Sequence, residues 1–263
     1  ILAGIDILFG SRSTIGAVIS ALLGLAVIAT IIALIWFAPK IDALSGLTTS
    51  AELRTERVSQ PLEGITEARV VLDVGGAEVT LYDLAESASL IEADVSHTGE
   101  LRFDVSKRGD RAEVKMDVHR PNPLFWFSGQ RERWDVGLSR DVLYEIEVDA
   151  GSGTYDLDLS GLRVADLHLD LGSGETTLML PASEEVECTI DGGSGGLDIT
   201  LPDSMAARVR LDKGSGDFRP GPRLQLVRGN ERGDGTWETD GYDTAADRIS
   251  IKIDMGSGNI TIR

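Results

Sequence analysis

The chain has 263 residues, a formal net charge of −18 and one cysteine, Cys188. A single cysteine excludes an intrachain disulfide, and a ratio of 43 acidic to 25 basic residues argues against nucleic acid as a partner. Glycine is frequent, with 30 residues, which predicts many turns.

The first predicted element is a membrane span. Residues 15–37 contain no charged side chain, and about 20 apolar residues are enough to cross a bilayer as a helix. Trp36 and Phe37 suit the membrane–water boundary. A buried core helix and a cleaved signal peptide are the alternatives, but the apolar run is long for either. Residues 1–9 are apolar except for Asp6, so 1–39 forms either one transmembrane helix or a hairpin.

A polar linker or stalk is predicted over residues 40–60, before a domain that covers 61–263. Because residues 1–40 carry +1, the remaining residues carry −19, and an anionic membrane surface repels such a domain. Arg12 favours the cytoplasm for the short connection before the span, which places the domain on the extracytoplasmic side of the cell membrane. Lys40 argues weakly for the opposite orientation.

A strict repeat dominates the second half of the chain. The motif Asp-x-Gly-Ser-Gly starts at Asp149, Asp170, Asp191, Asp212 and Asp254, at intervals of 21, 21, 21 and 42 residues. A constant period of this length is typical of a chain that coils and lays one repeat on the next. We therefore predict an all-β protein, a coiled stack of strands with about 21 residues per coil.

Hydrophobic residues alternate within each repeat, so one set of side chains is predicted to face inward. Before the turns, two columns of apolar residues recur in phase: Ile146, Leu167, Cys188, Val209 and Ile251, and then Val148, Leu169, Ile190, Leu211 and Ile253. A weaker copy begins at Asp73. The register lapses near 103–140 and near 213–248, where we expect irregular insertions that protect the edges of the sheets.

The turn residues have a structural explanation. Glycine reaches positive φ and allows neighbouring backbones to approach closely, while aspartate and serine can hydrogen-bond nearby amides. The predicted structural turn residues are Asp149, Gly151, Gly153, Asp170, Gly172, Gly174, Asp191, Gly193, Gly195, Asp212, Gly214, Gly216, Asp254, Gly256 and Gly258.

An apolar cluster in the first lapse is the one unusual surface. Leu124, Phe125, Trp126 and Phe127 are consecutive, and Trp134 follows shortly after them. These side chains either cap the end of the coil, and are then buried, or contact a membrane or a protein partner.

Catalytic and metal sites are not indicated. The five turn serines are equivalent, and no histidine shares their columns, so none has a base within reach. His97, His119 and His168 are far apart in the sequence, which argues against a zinc site. Calcium binding by the column of turn aspartates stays open, because stacked carboxylates repel one another without a counter-ion. We predict no catalytic residue and no cofactor.

Several motifs together resemble a known bacterial family. They are Gln60-Pro61-Leu62-Glu63-Gly64, Asp73-Val74-Gly75-Gly76-Ala77-Glu78-Val79-Thr80-Leu81, Trp134-Asp135-Val136, Asp149-Ala150-Gly151-Ser152-Gly153 and Leu157-Asp158-Leu159-Ser160-Gly161-Leu162, behind an apolar N-terminal segment. In this order they resemble the toastrack (LiaF-like) membrane-anchored proteins over residues 60–263. The resemblance implies a right-handed, single-stranded β-solenoid in the cell envelope, with roles in envelope-stress sensing, regulation of membrane-bound kinases or adhesion-like scaffolding.

The leading hypothesis for function is a non-enzymatic, membrane-anchored module that acts by protein–protein contact. Such a module would serve in envelope-stress signalling or as an accessory subunit of a membrane complex. Its partners would be the membrane, membrane proteins and a second copy in a homo-oligomer. The alternative is a surface adhesin or glycan-binding module, and an enzyme on a β-helix is a third, less supported option.

Overall fold

The computed structural model describes residues 52–120, 131–183, 185–230 and 234–263. Residues Glu52–Arg263 form one compact unit. Within the described residues, no helix has the length and apolarity needed to cross a membrane. The predicted span over 15–37 lies outside them, as does the part of the predicted linker before residue 52.

The described chain is all-β, as predicted, with one short 3-10 helix at Tyr242–Thr244. Its first half holds β1 (Arg54–Pro61), β2 (Glu67–Gly75), β3 (Glu78–Leu84), β4 (Ser89–His97), β5 (Glu100–Arg108), β6 (Arg111–His119), β7 (Arg133–Ser139), β8 (Leu143–Ala150) and β9 (Thr154–Asp158). Its second half holds β10 (Arg163–Leu171), β11 (Glu175–Met179), β12 (Glu185–Gly192), β13 (Gly196–Thr200), β14 (Ala206–Ser215), β15 (Phe218–Arg219), β16 (Gln225–Gly229), β17 (Gly235–Glu238), β18 (Arg248–Ser257) and β19 (Ile260–Ile262).

The strands form two sheets. The first sheet has the order β1-β4-β7-β3-β9-β11-β13-β19-β15, and the second has the order β16-β17-β14-β18-β12-β10-β8-β2-β6-β5. Pairing is parallel from β7 to β15 in the first sheet and from β14 to β6 in the second. Each repeat therefore gives one strand to the second sheet and the next strand to the first. Among the described residues there are seven such strand pairs.

Two repeats are inserted out of chain order. β18 lies between β12 and β14, and β19 lies between β13 and β15. Likewise, β2 and β3 lie between the pair β6–β7 and the pair β8–β9. The prediction that each repeat stacks on the one before it is therefore correct only for the run from β8 to β13.

The core lies between the two sheets and is almost entirely apolar. The alternation predicted from sequence is confirmed, since both predicted inward columns are buried, including Cys188. Burial raises the pKa of the Cys188 thiol, so the cysteine is a small apolar core residue and not a reactive thiolate. Residues of one column pair directly across the ladder, for example Ile146 with Leu167 and Leu167 with Cys188.

The regions expected to be irregular are largely strands. Residues 103–140 contain most of β5 together with β6 and β7, and β6 and β7 form a complete repeat in parallel ladders with β2 and β3. The expectation fails here because residues 120–132 separate the two strands and break the 21-residue spacing. In 213–248, β16 and β17 form an antiparallel hairpin that extends the second sheet beyond β14.

Antiparallel strands close the other end of the stack. β1 pairs with β4 in the first sheet, and β5 pairs with β6 in the second. Residues 54–60 are therefore the edge strand β1 and not part of a linker. Their polar sequence was consistent with a linker because β1 is mostly exposed, and only Val58 packs on the core.

Candidate functional site

The turn aspartates occupy one register along the second sheet. Asp149 pairs with Asp170, Asp170 with Asp191, Asp191 with Asp254, and Asp254 with Asp212. Asp73 and Asp117 extend the column at its other end. The repeats therefore stand in phase even where their order in space differs from their order in the chain.

Close approach of backbones explains the second glycine of each motif. A Cβ on Gly153, Gly174, Gly195 or Gly258 would lie 1.8–2.0 Å from a carbonyl oxygen of the neighbouring layer. Such a distance is far inside van der Waals contact. Of the ten predicted turn glycines, only Gly216 has a positive φ, at 122°. The motif thus requires glycine mainly for lack of a side chain, and not for access to left-handed backbone.

Backbone hydrogen bonds continue the ladder through the turns. Gly151 donates to Gly75 O at 2.6 Å, Gly172 to Ala150 O at 2.7 Å, and Gly193 to Leu171 O at 2.8 Å. The serine amides do the same, for instance Ser194 to Gly172 O at 3.1 Å. These bonds satisfy amides that a turn would otherwise leave to solvent.

The aspartate side chains do not hold the corners. Within the described residues, no hydrogen bond reaches the carboxylate of any aspartate in the predicted turn set. One tyrosine does bridge layers in the first turn, where the Tyr155 hydroxyl accepts from Gly153 N at 2.9 Å and donates to Gly75 O at 2.7 Å. Burial raises the pKa of Tyr155, so the hydroxyl keeps its proton for this contact.

An acidic face covers the middle of the second sheet. We define it by the outward residues of β8, β10 and β12, which form a grid of three by three: Glu145, Asp166 and Glu187; Glu147, His168 and Thr189; Asp149, Asp170 and Asp191. Arg69 on β2 neutralises part of it through Glu147, at 2.6 Å. Burial, and then the charges of Asp73, Asp170 and Glu147, raises the pKa of Asp149. Like charges are therefore concentrated on this face.

A row of alternating carboxylates and hydroxyls crosses the outer face of the first sheet. Thr80 pairs with Asp156, Asp156 with Thr177, Thr177 with Asp198, and Asp198 with Thr261. Adjacent strands in such a row are about 4.8 Å apart. A groove of about 270 Å³ opens at the turn edge of this row, and its polar lining includes Ser194, Asp198 and Asn259.

Trp134 is a core residue and not a surface residue. It is 0% exposed and packs in the core of β7, since its neighbours Val136 and Leu138 point inward with it. The prediction of a surface role for Trp134 is therefore wrong, because alternation along β7 directs position 134 to the interior. Leu124, Phe125, Trp126 and Phe127 lie outside the described residues, and their role stays a prediction.

A polar cluster joins the two chain segments on either side of those apolar residues. Arg120 follows β6, Glu132 precedes β7, and the two form an ion pair. Thr98 also donates to Glu132 Oε1, from its amide at 2.9 Å and from its hydroxyl at 2.6 Å. Sequence reasoning missed this cluster. Its members are separated by 12 to 34 residues, so no local spacing indicates it.

Among the described residues, no group of three or more histidine, cysteine, aspartate or glutamate side chains is arranged to hold a metal ion. The turn aspartates stand on separate strands of a parallel ladder, one on each layer.

The sequence matches the profile described as the N-terminal domain of toast_rack, DUF2154, over residues 49–218. This match covers more than half of the chain. The chain belongs to the toast_rack family. None of the curated proteins matches the sequence.

The toast_rack chain shares its fold with a solved structure. A protein from Clostridium sporogenes, named for a proposed role in cell adhesion, is 18% identical with a TM-score of 0.71, covering 80% of this chain and 99% of its own. A proposed adhesin from Bacteroides fragilis is 10% identical, with a TM-score of 0.29 and coverages of 81% and 98%. The first likeness establishes the fold alone, and the second is too weak to support any argument.

Proposed function

We propose that this toast_rack protein is a non-enzymatic contact module, held at the cell membrane by residues 15–37 and acting through the outer faces of its two sheets. The single observation that supports this proposal is the extent of those faces. Polar side chains line up across the parallel strands of each sheet, in the acidic face and in the row from Thr80 to Thr261, over a filled apolar core. A rigid repeat stack of this kind suits the binding of extended surfaces.

The partner is proposed to be a membrane protein of the cell envelope, in stress signalling or in a membrane complex. The membrane anchor would raise the effective concentration of such partners near the domain. The acidic face favours a partner that presents basic side chains, because complementary charge guides association and suppresses wrong partners. A second copy of this chain is a poorer electrostatic match for the same face.

Site-specific photo-crosslinking in native membranes tests this proposal. A photoreactive residue replaces Glu187 on the acidic face or Thr177 on the first sheet, in the full chain. The control position is Asp203, whose side chain is fully exposed at a loop. We expect a discrete adduct from one sheet face, identified as a membrane protein and weakened by added salt. Equal capture from Asp203, or none from either face, would refute the proposal.

Glycan binding is the second candidate, and the first sheet favours it. The alternating row from Thr80 to Thr261 presents hydroxyls and carboxylates at a regular spacing, beside the groove lined by Ser194 and Asn259. Such groups can pair with sugar hydroxyls. The adhesion role in the name of the Clostridium sporogenes protein agrees with this candidate. A glycan array probed with the wild-type chain and with Thr177→Ala distinguishes it, since only glycan binding predicts a signal that the substitution weakens.

A further inference from the structure

Within the part of the chain that the structure describes, three buried side-chain polar atoms without hydrogen-bond partners lie in one corner of the core. They are His97 Nδ1, His97 Nε2 and Trp134 Nε1, and both side chains are 0% exposed. β4 and β7 are neighbours, with Val95 opposite Trp134, so the imidazole and the indole are diagonal neighbours on the same inner face. Unpaired buried polar atoms are rare in folded proteins, and three in one place call for an explanation.

Strand β1 covers this corner and brings a carboxylate to it. In the backbone register of β1 and β4, Glu56 lies opposite Val95, and Arg54 lies opposite His97. The distance from Glu56 Oε1 to His97 Nε2 is 3.2 Å, although the geometry does not align them as a hydrogen bond. The Glu56 side chain is 49% exposed, so it can reorient without leaving water.

The other charges near the corner already have partners or point to solvent. Glu132 accepts from Thr98 and pairs with Arg120. Arg54, on the same face of β1 as Glu56, is exposed. Glu56 is thus the carboxylate placed to balance a positive charge on His97.

Protonation changes the hydrogen-bonding groups and the charge of the imidazole. A neutral ring has one donor and one acceptor, whereas the imidazolium has two donors and a positive charge, and histidine makes this change at mildly acidic pH. We propose that His97 and Glu56 form a proton-dependent ion pair that tightens β1 onto β4. Because β1 is the first described strand of the chain, the ion pair would couple the pH around the domain to the pairing of this edge strand.

Hydrogen exchange measured by mass spectrometry on the full chain tests the proposal. Exchange of residues 54–61 is compared at about pH 5.5 and about pH 7.5, after correction for intrinsic rates. We expect roughly fivefold slower exchange at the lower pH, the change that a partly exposed ion pair can supply. The variants Glu56→Gln and His97→Gln should lose this difference. The control His119→Gln, at an exposed position of β6, should keep it. Exchange that does not slow on acidification, or that slows equally in Glu56→Gln, would overturn the proposal.

A second measurement does not depend on the folding of His97→Gln. The chain has three histidines, so the ring signals of histidine-labelled full-length protein can be assigned by the substitutions of the two others. We expect the His97 ring signals of the wild type and of Glu56→Gln to differ more at about pH 5.5 than at about pH 7.5, because only a charged ring pairs with the carboxylate. A difference between the two proteins that is the same at both pH values would show that Glu56 takes no part in a proton-dependent contact.

Discussion

At the scale of single residues, the second glycine of each turn allows neighbouring layers to stack closely, because it has no side chain. Its spacing in the sequence was enough to predict a turn, but the cause of its requirement was not visible. Positive φ and close approach both favour glycine, and only the contact of Gly174, Gly195 and Gly258 with the neighbouring carbonyls distinguishes them. The aspartates show the reverse case, since their column was predicted but their expected hydrogen bonds are not formed.

Replacing Gly195 by alanine should be strongly destabilising. The new Cβ would lie 1.8 Å from Gly174 O, a backbone atom that cannot move without shifting a layer. We expect a loss of about 3 kcal/mol in the free energy of unfolding, measured by urea denaturation. Gly76→Ala is the matched control, because its Cβ would meet Ser152 Oγ at an ordinary 3.5 Å. Equal losses in the two variants would contradict the close-approach explanation.

The Glu132 cluster should make stability depend on acid pH. Burial raises the pKa of Glu132, but the hydrogen bonds from Thr98 and Arg120 outweigh it and lower the pKa below its ordinary value of 4.5. The stabilisation is therefore present above pH 4.5 and is lost as pH falls through the lower value in the folded chain.

Glu132→Gln tests this dependence. At pH 7 we expect a loss of about 2 kcal/mol, because Arg120 keeps its partly buried charge without a counter-ion. As the pH falls below 4.5 and through the lowered pKa of Glu132, the variant and the wild type should converge, as followed by thermal unfolding across a pH series. Glu78→Gln serves as the comparison, since its pair with Arg133 is about half exposed on both sides and should matter little. A loss that is constant with pH would contradict the ionic explanation.

At the scale of elements, the sequence predicts strands well where repeats are regular and poorly where a loop changes the spacing. β8 to β13 follow the 21-residue period, so their boundaries can be read from the motif. Apolar and polar residues alternate equally well in β6 and β7, but the residues between these two strands place β7 out of phase with the 21-residue period. β1 escaped prediction for a different reason, since an exposed edge strand has no apolar face to reveal it.

The hairpin of β16 and β17 depends on one arginine of β14. Arg208 donates to Glu238 at 2.6 Å and to Asp243 at 2.7 Å, and its guanidinium lies 4.1 Å from the centre of the Tyr242 ring. Arg208→Ala should therefore loosen the hairpin and the 3-10 helix together. We expect about 1–2 kcal/mol of destabilisation, with faster hydrogen exchange confined to residues 225–244. Arg210→Ala, one outward position further along β14, should leave that exchange unchanged.

At the scale of the whole molecule, the order of the layers could not be predicted from the repeat. All copies carry the same columns, so any two of them can pair in register. The interval of 42 residues from Asp212 to Asp254 would allow a further layer between the two repeats, but it also allows them to pair directly, as they do. The family resemblance was sufficient for the fold class, whereas the arrangement required coordinates.

The predicted orientation can be tested with a thiol label. Cys188 is the only cysteine and is buried, so the wild-type chain should not react with a membrane-impermeant maleimide. Thr177→Cys places a thiol on the exposed outer face of the first sheet. We expect labelling of this variant in intact cells if the domain lies outside the cytoplasmic membrane. Labelling only after the cells are opened would show that the domain lies on the cytoplasmic side.

The inserted position of β18 and β19 bears on how the protein is made. Residues 206–219 leave the ribosome before residues 248–262, yet the later segment separates them from β12 and β13. Growth of the stack by simple addition during translation therefore stops at β13. The layer of β14 and β15 lacks its final partner strands, β18 and β19, until synthesis has passed residue 262. An exposed strand edge of this kind can pair wrongly or bind a chaperone.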